Sequence, residues 1–134
     1  MAQPSPARAP QSIAAPSGKT KNIVLWVIQV LLAAMFVMAG GSKLFGAPDM
    51  IQLFDAVGVG QWFRYVTGLI EVGSAVLLVI PGMARYGAGL LCCTMLGAIL
   101  AHLTKLHTSP LLPVALLIGA AVVLWGRSTQ TASR

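Results

Sequence analysis

Four runs of this 134-residue chain are apolar for so long that a single small domain cannot turn them all inward. They cover residues 23–45, 62–80, 84–104 and 111–125. About 20 apolar residues in a helix cross the hydrocarbon core of a bilayer. Backbone groups at that depth must be satisfied within the segment, which leaves helices as the spanning element. The expected fold is therefore all-α, a bundle of four transmembrane helices. The fourth run is shorter than a usual span, which asks for a locally thin bilayer or a helix that starts earlier. A cleaved signal peptide is the rival for the first run, with "VMAGG" as its cleavage site. The run is longer than the usual apolar core of such segments, about 7–15 residues, and a span is the better fit.

The segments between the runs divide the chain. Residues 1–22 hold prolines, serines and alanines, no acid and almost nothing to bury, and are expected to be a disordered tail. Residues 23–127 form the membrane domain, and 128–134 a polar C-terminal tail. Between the first two spans, "GAPDMIQLFDAVGVGQ" starts with Pro48, which suits a first helical turn, and ends at Gly58 and Gly60. Met50, Ile51, Leu53 and Phe54 share one helical side, while Asp49 and Asp55 keep the segment polar. This predicts a short amphipathic helix at the membrane surface. Pro81-Gly82 leaves room only for a tight turn between the second and third spans.

Hydrophobic residues make up 57% of the chain and charged ones 9%, too little charged surface for a soluble protein. The net charge is +6, but the basic residues stand singly at the ends of apolar runs. Nucleic-acid binding would gather them in a patch, so no nucleic-acid partner is expected. Instead they report topology. Arg8, Lys19, Lys21, Arg85, Arg127 and Arg134 fall on one side of a four-span fold. Lys43, Arg64 and Lys105, offset by Asp49 and Asp55, fall on the other. The positive-inside rule makes both termini cytoplasmic and the protein a multi-pass protein of the cell membrane. Trp26, Trp125 and Tyr86 sit at the expected inner ends of spans, with Trp62 and Tyr65 at an outer end, as an aromatic belt requires.

Helices in lipid associate by close packing of small residues. Gly89, Cys93, Gly97 and Ala101 recur every four residues in the third span and are expected to form such a packing stripe. Cys92 and Cys93 are adjacent, so a disulfide between them would be strained. No Gly-rich phosphate loop, zinc-ligand spacing or nucleophile motif is present. Two histidines and one glutamate at these spacings make no metal site.

The chemistry concentrates in "YVTGLIEVGSAVLLVIPG", where Glu71 interrupts the second span. An ionised side chain at mid-bilayer costs about 2.5–3.5 kcal/mol on insertion scales, so this carboxylate needs a partner, a proton or a task. Gly68 and Ala75 share its helical face, which turns it toward packed helices. It lies about 13 Å below the outer end of its span at 1.5 Å per residue. Lys43 ends the first span on that side, beside Gly40 and Gly41, which would admit a close neighbour. Arg64 lies on the face of Glu71, nearer the outer surface, and His102 ends the third span there. Lys43, Arg64, Glu71 and His102 are thus the candidate polar cluster. Two roles remain open: a clamp, Glu71–Lys43 or Glu71–Arg64, fixing helix register, or a site for a polar head group.

Three runs, "AGGSKLFGAPDMIQLFDAVGV", "GLIEVGSAVLLVIPGMARYGAGLL" and "MLGAILAHL", resemble the DoxX-like family of small membrane proteins over about residues 23–127. The matching positions are Gly41, Lys43 and Leu44, then Gly68, Leu69 and Glu71, then Arg85, then His102. The resemblance implies a compact four-helix membrane bundle. It also implies an accessory subunit in membrane-linked redox processes, tied to quinone or thiol chemistry, with a redox protein as partner. The chain carries no cofactor motif of its own, so an independent enzyme is not expected. A quinone is the cofactor it suggests, and a homo-oligomer is compatible with the small-residue stripe. The alternative is a structural or interaction module without chemistry.

Overall fold

The structure, a computed structural model, describes residues 2–7 and 18–132. Helix α1 runs over Gly18–Phe45, α2 over Pro48–Val57, α3 over Gln61–Val79, α4 over Ala84–Ala101 and α5 over Leu111–Ala132. A π-helical turn, His102–Leu106, extends α4. There is no strand among the described residues. Four of the helical segments are long and apolar enough to cross a membrane, and the short α2 stands between the first two.

The outside of this bundle is as apolar as its inside, unlike that of a soluble protein. Met38 and Leu69 are 76% and 62% exposed, whereas Gln29, Arg64, Glu71 and Ser74 are buried. Such an outer surface suits hydrocarbon, and the polar groups then have to find one another inside. The apolar core gathers Phe36, Leu78, Leu91 and Val123 from α1, α3, α4 and α5. α1 packs chiefly on α3, α3 on α4, α4 on α5, and α5 returns to α1, closing a ring.

Glycines set the closest crossings. A Cβ on Gly40 would stand 2.8 Å from the Gly68 carbonyl oxygen, so α1 and α3 meet backbone to backbone there. A Cβ on Gly87 would stand 2.7 Å from the Ser74 carbonyl oxygen, which fixes α4 on α3. The buried face of α4 is accordingly Ala84, Gly87, Ala88, Leu91 and Met95. This corrects the expected stripe: Cys93 and Gly97 are exposed, and a Cβ on Gly89 or Gly97 would meet nothing within 4 Å. Spacing identifies a row of small residues, but the rotation of the helix is set where Gly87 lets α3 approach.

Two helix ends also differ from expectation. Residues 18–22, read as tail, open α1, and α5 continues to Ala132 instead of stopping at 125. The polar residues at these ends bond to one another. Arg127 Nε donates to Gln29 Oε1 (2.5 Å), and its Nη1 donates to Asn22 Oδ1 (2.7 Å). Lys21 Nζ donates to Thr129 Oγ1 (3.0 Å) and lies over the Trp125 ring. Gln29 in turn donates from Nε2 to the Leu78 carbonyl (2.5 Å), tying α1 to α3. These contacts hold the start of α1 and the finish of α5 at one end of the bundle, called here the terminal end. Residues 1 and 8–17, half of the expected disordered tail, lie outside the described residues, as do 133 and 134.

α2 covers the opposite end. Pro48 stands in its first turn, and Gly58 takes a left-handed conformation (φ 82°) and returns its N–H to the Phe54 carbonyl. Phe54 is buried and meets Phe63 of α3 edge to face, ring centroids 6.0 Å apart. Gln61 Nε2 donates to the Ile51 carbonyl (3.0 Å) and to Asp55 Oδ1 (2.7 Å), fastening α2 to the start of α3.

Candidate functional site

The Gly40–Gly68 crossing builds the site. Lys43 lies one turn beyond Gly40 on α1, and Glu71 one turn beyond Gly68 on the antiparallel α3. Helical side chains lean toward their own N-terminus, so the lysine stem runs back across the crossing. With no side chain on either glycine, nothing obstructs it. Nζ arrives 3.4 Å from the Ala39 carbonyl oxygen and 2.9 Å from Glu71 Oε2. The carboxylate side chain is 3% exposed and the lysine side chain 14%. Of the two pairings open in the sequence, the glutamate forms the one with Lys43.

Arg64 has a different function. Its Nη1 donates to the Lys43 carbonyl, its Nε to Gln61 Oε1 (2.7 Å), and its guanidinium lies 4.3 Å from the Tyr65 ring centre. It satisfies a carbonyl in the last turn of α1, where helical partners run out. It therefore holds Lys43 in place through the backbone without touching Glu71. His102 opens the π-helical turn, and its Nδ1 lies 2.7 Å from Thr108 Oγ1. It bonds neither Lys43 nor Glu71. The turn closes where the Thr108 N–H reaches the His102 carbonyl (3.1 Å) and His107 takes a left-handed conformation (φ 50°). Arg85 lies at the terminal end beside Tyr86 (2.8 Å), far along the bundle from the cluster. Among the other motif positions, Gly68 makes the crossing and Leu44 packs against it. Gly41 has open space beside it, and Leu69 faces outward.

Lys43, Glu71 and His102 share the wall of one cavity of about 770 Å³. That volume falls in the range of small-molecule sites, about 300–1,000 Å³. Its remaining wall is mostly apolar. α2 contributes Met50, Leu53, Phe54 and Val57, and α4 contributes Cys93, Gly97 and Ala101. Thr67 and Thr94 also line it, but their hydroxyl hydrogens go to the Phe63 and Leu90 carbonyls (2.8 and 2.9 Å). The charged pair is therefore the strongest hydrogen-bonding group on an apolar wall, the arrangement that orients a ligand with one polar end.

The pair and a head-group site beside it were legible in the sequence, but the wall that α2 lends that site was not. The sign lay in α2: Met50, Leu53 and Phe54, the apolar side of the expected surface helix, also line the cavity. The small residues of α4 expected to pack against a helix leave room beside it. Gln29 also escaped notice, although a glutamine inside "VIQVLL" is as visible as Glu71.

No curated protein and no solved structure matches the chain. Residues 27–125, from within α1 to the middle of α5, match the profile of the DoxX-like family. That range holds the pair, the motif positions and the cavity, and the chain, a multi-pass membrane protein with four apolar spans, belongs to the DoxX-like family.

Proposed function

We propose that this protein holds a membrane-dissolved molecule of quinone type by its polar head and serves as an accessory subunit to a redox partner in the cell membrane. One observation carries the reading: the buried Lys43–Glu71 pair lines a cavity of about 770 Å³. A pair that only clamped two helices would need no space beside it. In this role the ammonium of Lys43 donates to a head-group oxygen. Glu71 gives or takes a proton as the head is reduced or oxidised, with the electrons supplied or removed by the redox partner. His102, across the cavity, orients the head. Mass spectrometry of lipid-soluble molecules purified with the protein in mild detergent tests this. A discrete quinone-class molecule is expected with the wild type and is expected to be lost from Glu71→Gln. Bulk lipid alone in both samples sinks the proposal.

A second reading, a register clamp without ligand, draws on the Gly40–Gly68 crossing directly beside the pair. A buried pair can specify which packing a bundle adopts. The two readings part on the double substitution Lys43→Met with Glu71→Leu.

The proposed orientation has both termini in the cytoplasm. Lys19, Lys21, Arg85 and Arg127 gather at the terminal end, while Asp49 and Asp55 offset the bases of the α2 end. Arg8 and Arg134, which also counted toward this bias, lie outside the described residues. A green fluorescent protein fused to the C-terminus should fluoresce in cells of a bacterial host. A dark fusion, with export confirmed by a periplasmic reporter at the same position, reverses the assignment.

A further inference from the structure

The cavity has a side that faces out of the bundle. Val66 and Ile70 of α3 line it and are 40% and 38% exposed. Cys93 and Gly97 of α4 also line it and are exposed. α3 and α4 touch closely at the terminal end, where Gly87 meets Ser74. Three turns further along α4, a Cβ on Gly97 would meet nothing within 4 Å. The two helices thus leave a gap between them on the α2 side of their contact. Ile70 and Gly97 both lie about 13 Å from the α2 end of their segments at 1.5 Å per residue, close to the middle of a core about 30 Å thick. The outer face of this gap is hydrocarbon. By contrast, α2 roofs the cavity with Met50, Leu53, Phe54 and Val57 and is fastened to α3 through Gln61.

We propose that the cavity is loaded sideways from the bilayer, through the gap bounded by Val66 and Ile70 on α3 and by Cys93 and Gly97 on α4. The occupant is a single-chain amphiphile. Its hydrogen-bonding head reaches the Lys43–Glu71 pair, and its chain lies out through the gap. Only Oε2 of Glu71 receives the lysine, and no bond to Oε1 forms among the described residues, so an acceptor remains for a hydroxyl or N–H head. The smallness of Cys93 and Gly97 keeps the gap open, and this gives the α4 stripe its use. The inference rests on the head-group reading above and adds the route and the shape of the ligand.

The test uses the full chain in phosphatidylcholine nanodiscs, with pentadecylphenol as probe. With Cys92→Ser, Cys93 is the sole thiol of a chain that has two cysteines. It should react with the bilayer-soluble pyrenylmaleimide. With the probe at about ten times its Kd, that reaction should slow roughly tenfold, the factor mass action gives for a shared site. Gly97→Phe should slow probe loading about tenfold, the effect of about 1.4 kcal/mol on a barrier. Leu96→Phe, on the neighbouring outward-facing position, should load at the wild-type rate. If the wild type retains the probe but Cys93 reacts equally fast with and without it, sideways loading is wrong and the head-group reading survives. If Gly97→Phe is folded by size exclusion and loads like the wild type, the route is likewise refuted. A wild type that retains no probe at any loading time removes the head-group reading and this inference with it.

Discussion

Gly40→Leu is expected to yield no folded bundle. A bare Cβ at Gly40 would stand 2.8 Å from the Gly68 carbonyl oxygen, 2.8 Å from Val72 Cγ2 and 3.1 Å from Glu71 Cβ. The carbonyl belongs to a helix backbone and cannot rotate away, so α1 and α3 must separate. Overpacking in a filled core costs about 1–3 kcal/mol for added methylenes, and more when backbone must move. Gly40→Ala should fall within that range, and leucine beyond it. In lipid no hydrophobic gain holds separated helices together, because the tails are as apolar as the side chains. Gly41 supplies the control. A Cβ there would meet nothing within 4 Å, so Gly41→Ala should be neutral or stabilise by up to about 1 kcal/mol through helix propensity. Absence of a monodisperse peak in dodecyl maltoside reads the leucine variant, and thermal loss of that peak reads the two alanine variants. Equal damage from Gly40→Ala and Gly41→Ala would show that the crossing is not where the structure has it.

The contrast between these neighbouring glycines marks what a sequence can and cannot convey. That a close crossing stood near Lys43 was legible, because two glycines at the end of a span beside an unmatched lysine have few other uses. Which of them makes it depends on helix rotation, and that is decided by the partner. The same limit explains α4, where a regular row of small residues suggested a contact face and Gly87, outside that row, carries the contact. The spans, α2 and its glycine stop were legible because run length, Pro48 and Gly58 act locally. The helix ends at Gly18 and Ala132 were not, since Lys21, Asn22, Arg127 and Thr129 look like tail residues until they bond across the bundle. Arg64 was placed in the cluster by its helical face and its depth. Its bond to the Lys43 carbonyl depends on where α1 stops, which only the assembled turn defines. A cavity is harder still, because it is a volume that side chains fail to fill, and no residue announces it.

Lys43→Met should be the most damaging single change that adds no bulk. It leaves Glu71, whose side chain is 3% exposed, buried without its cation. Removing one partner of a buried pair costs about 3–5 kcal/mol, because the remaining charge keeps its desolvation penalty and loses its attraction. The double variant Lys43→Met with Glu71→Leu removes both charges and keeps similar volume. Replacements of that kind are often neutral or stabilise by about 1–4 kcal/mol. Stability should therefore fall sharply in the single variant and return in the double one, measured by thermal unfolding in detergent. A double variant as unstable as the single one would mean that the damage comes from lost packing of the lysine stem across Gly68 and that the charge is incidental. A stable double variant also separates the two roles of the pair. A clamp replaced by apolar packing leaves nothing else to lose, so the double variant would match the wild type in every lipid-soluble molecule it carries. A head-group site replaced in the same way gives a bundle that folds but carries no discrete molecule. We expect the second outcome, because methionine and leucine can restore contact between α1 and α3 but offer nothing to the polar end of a ligand on that wall.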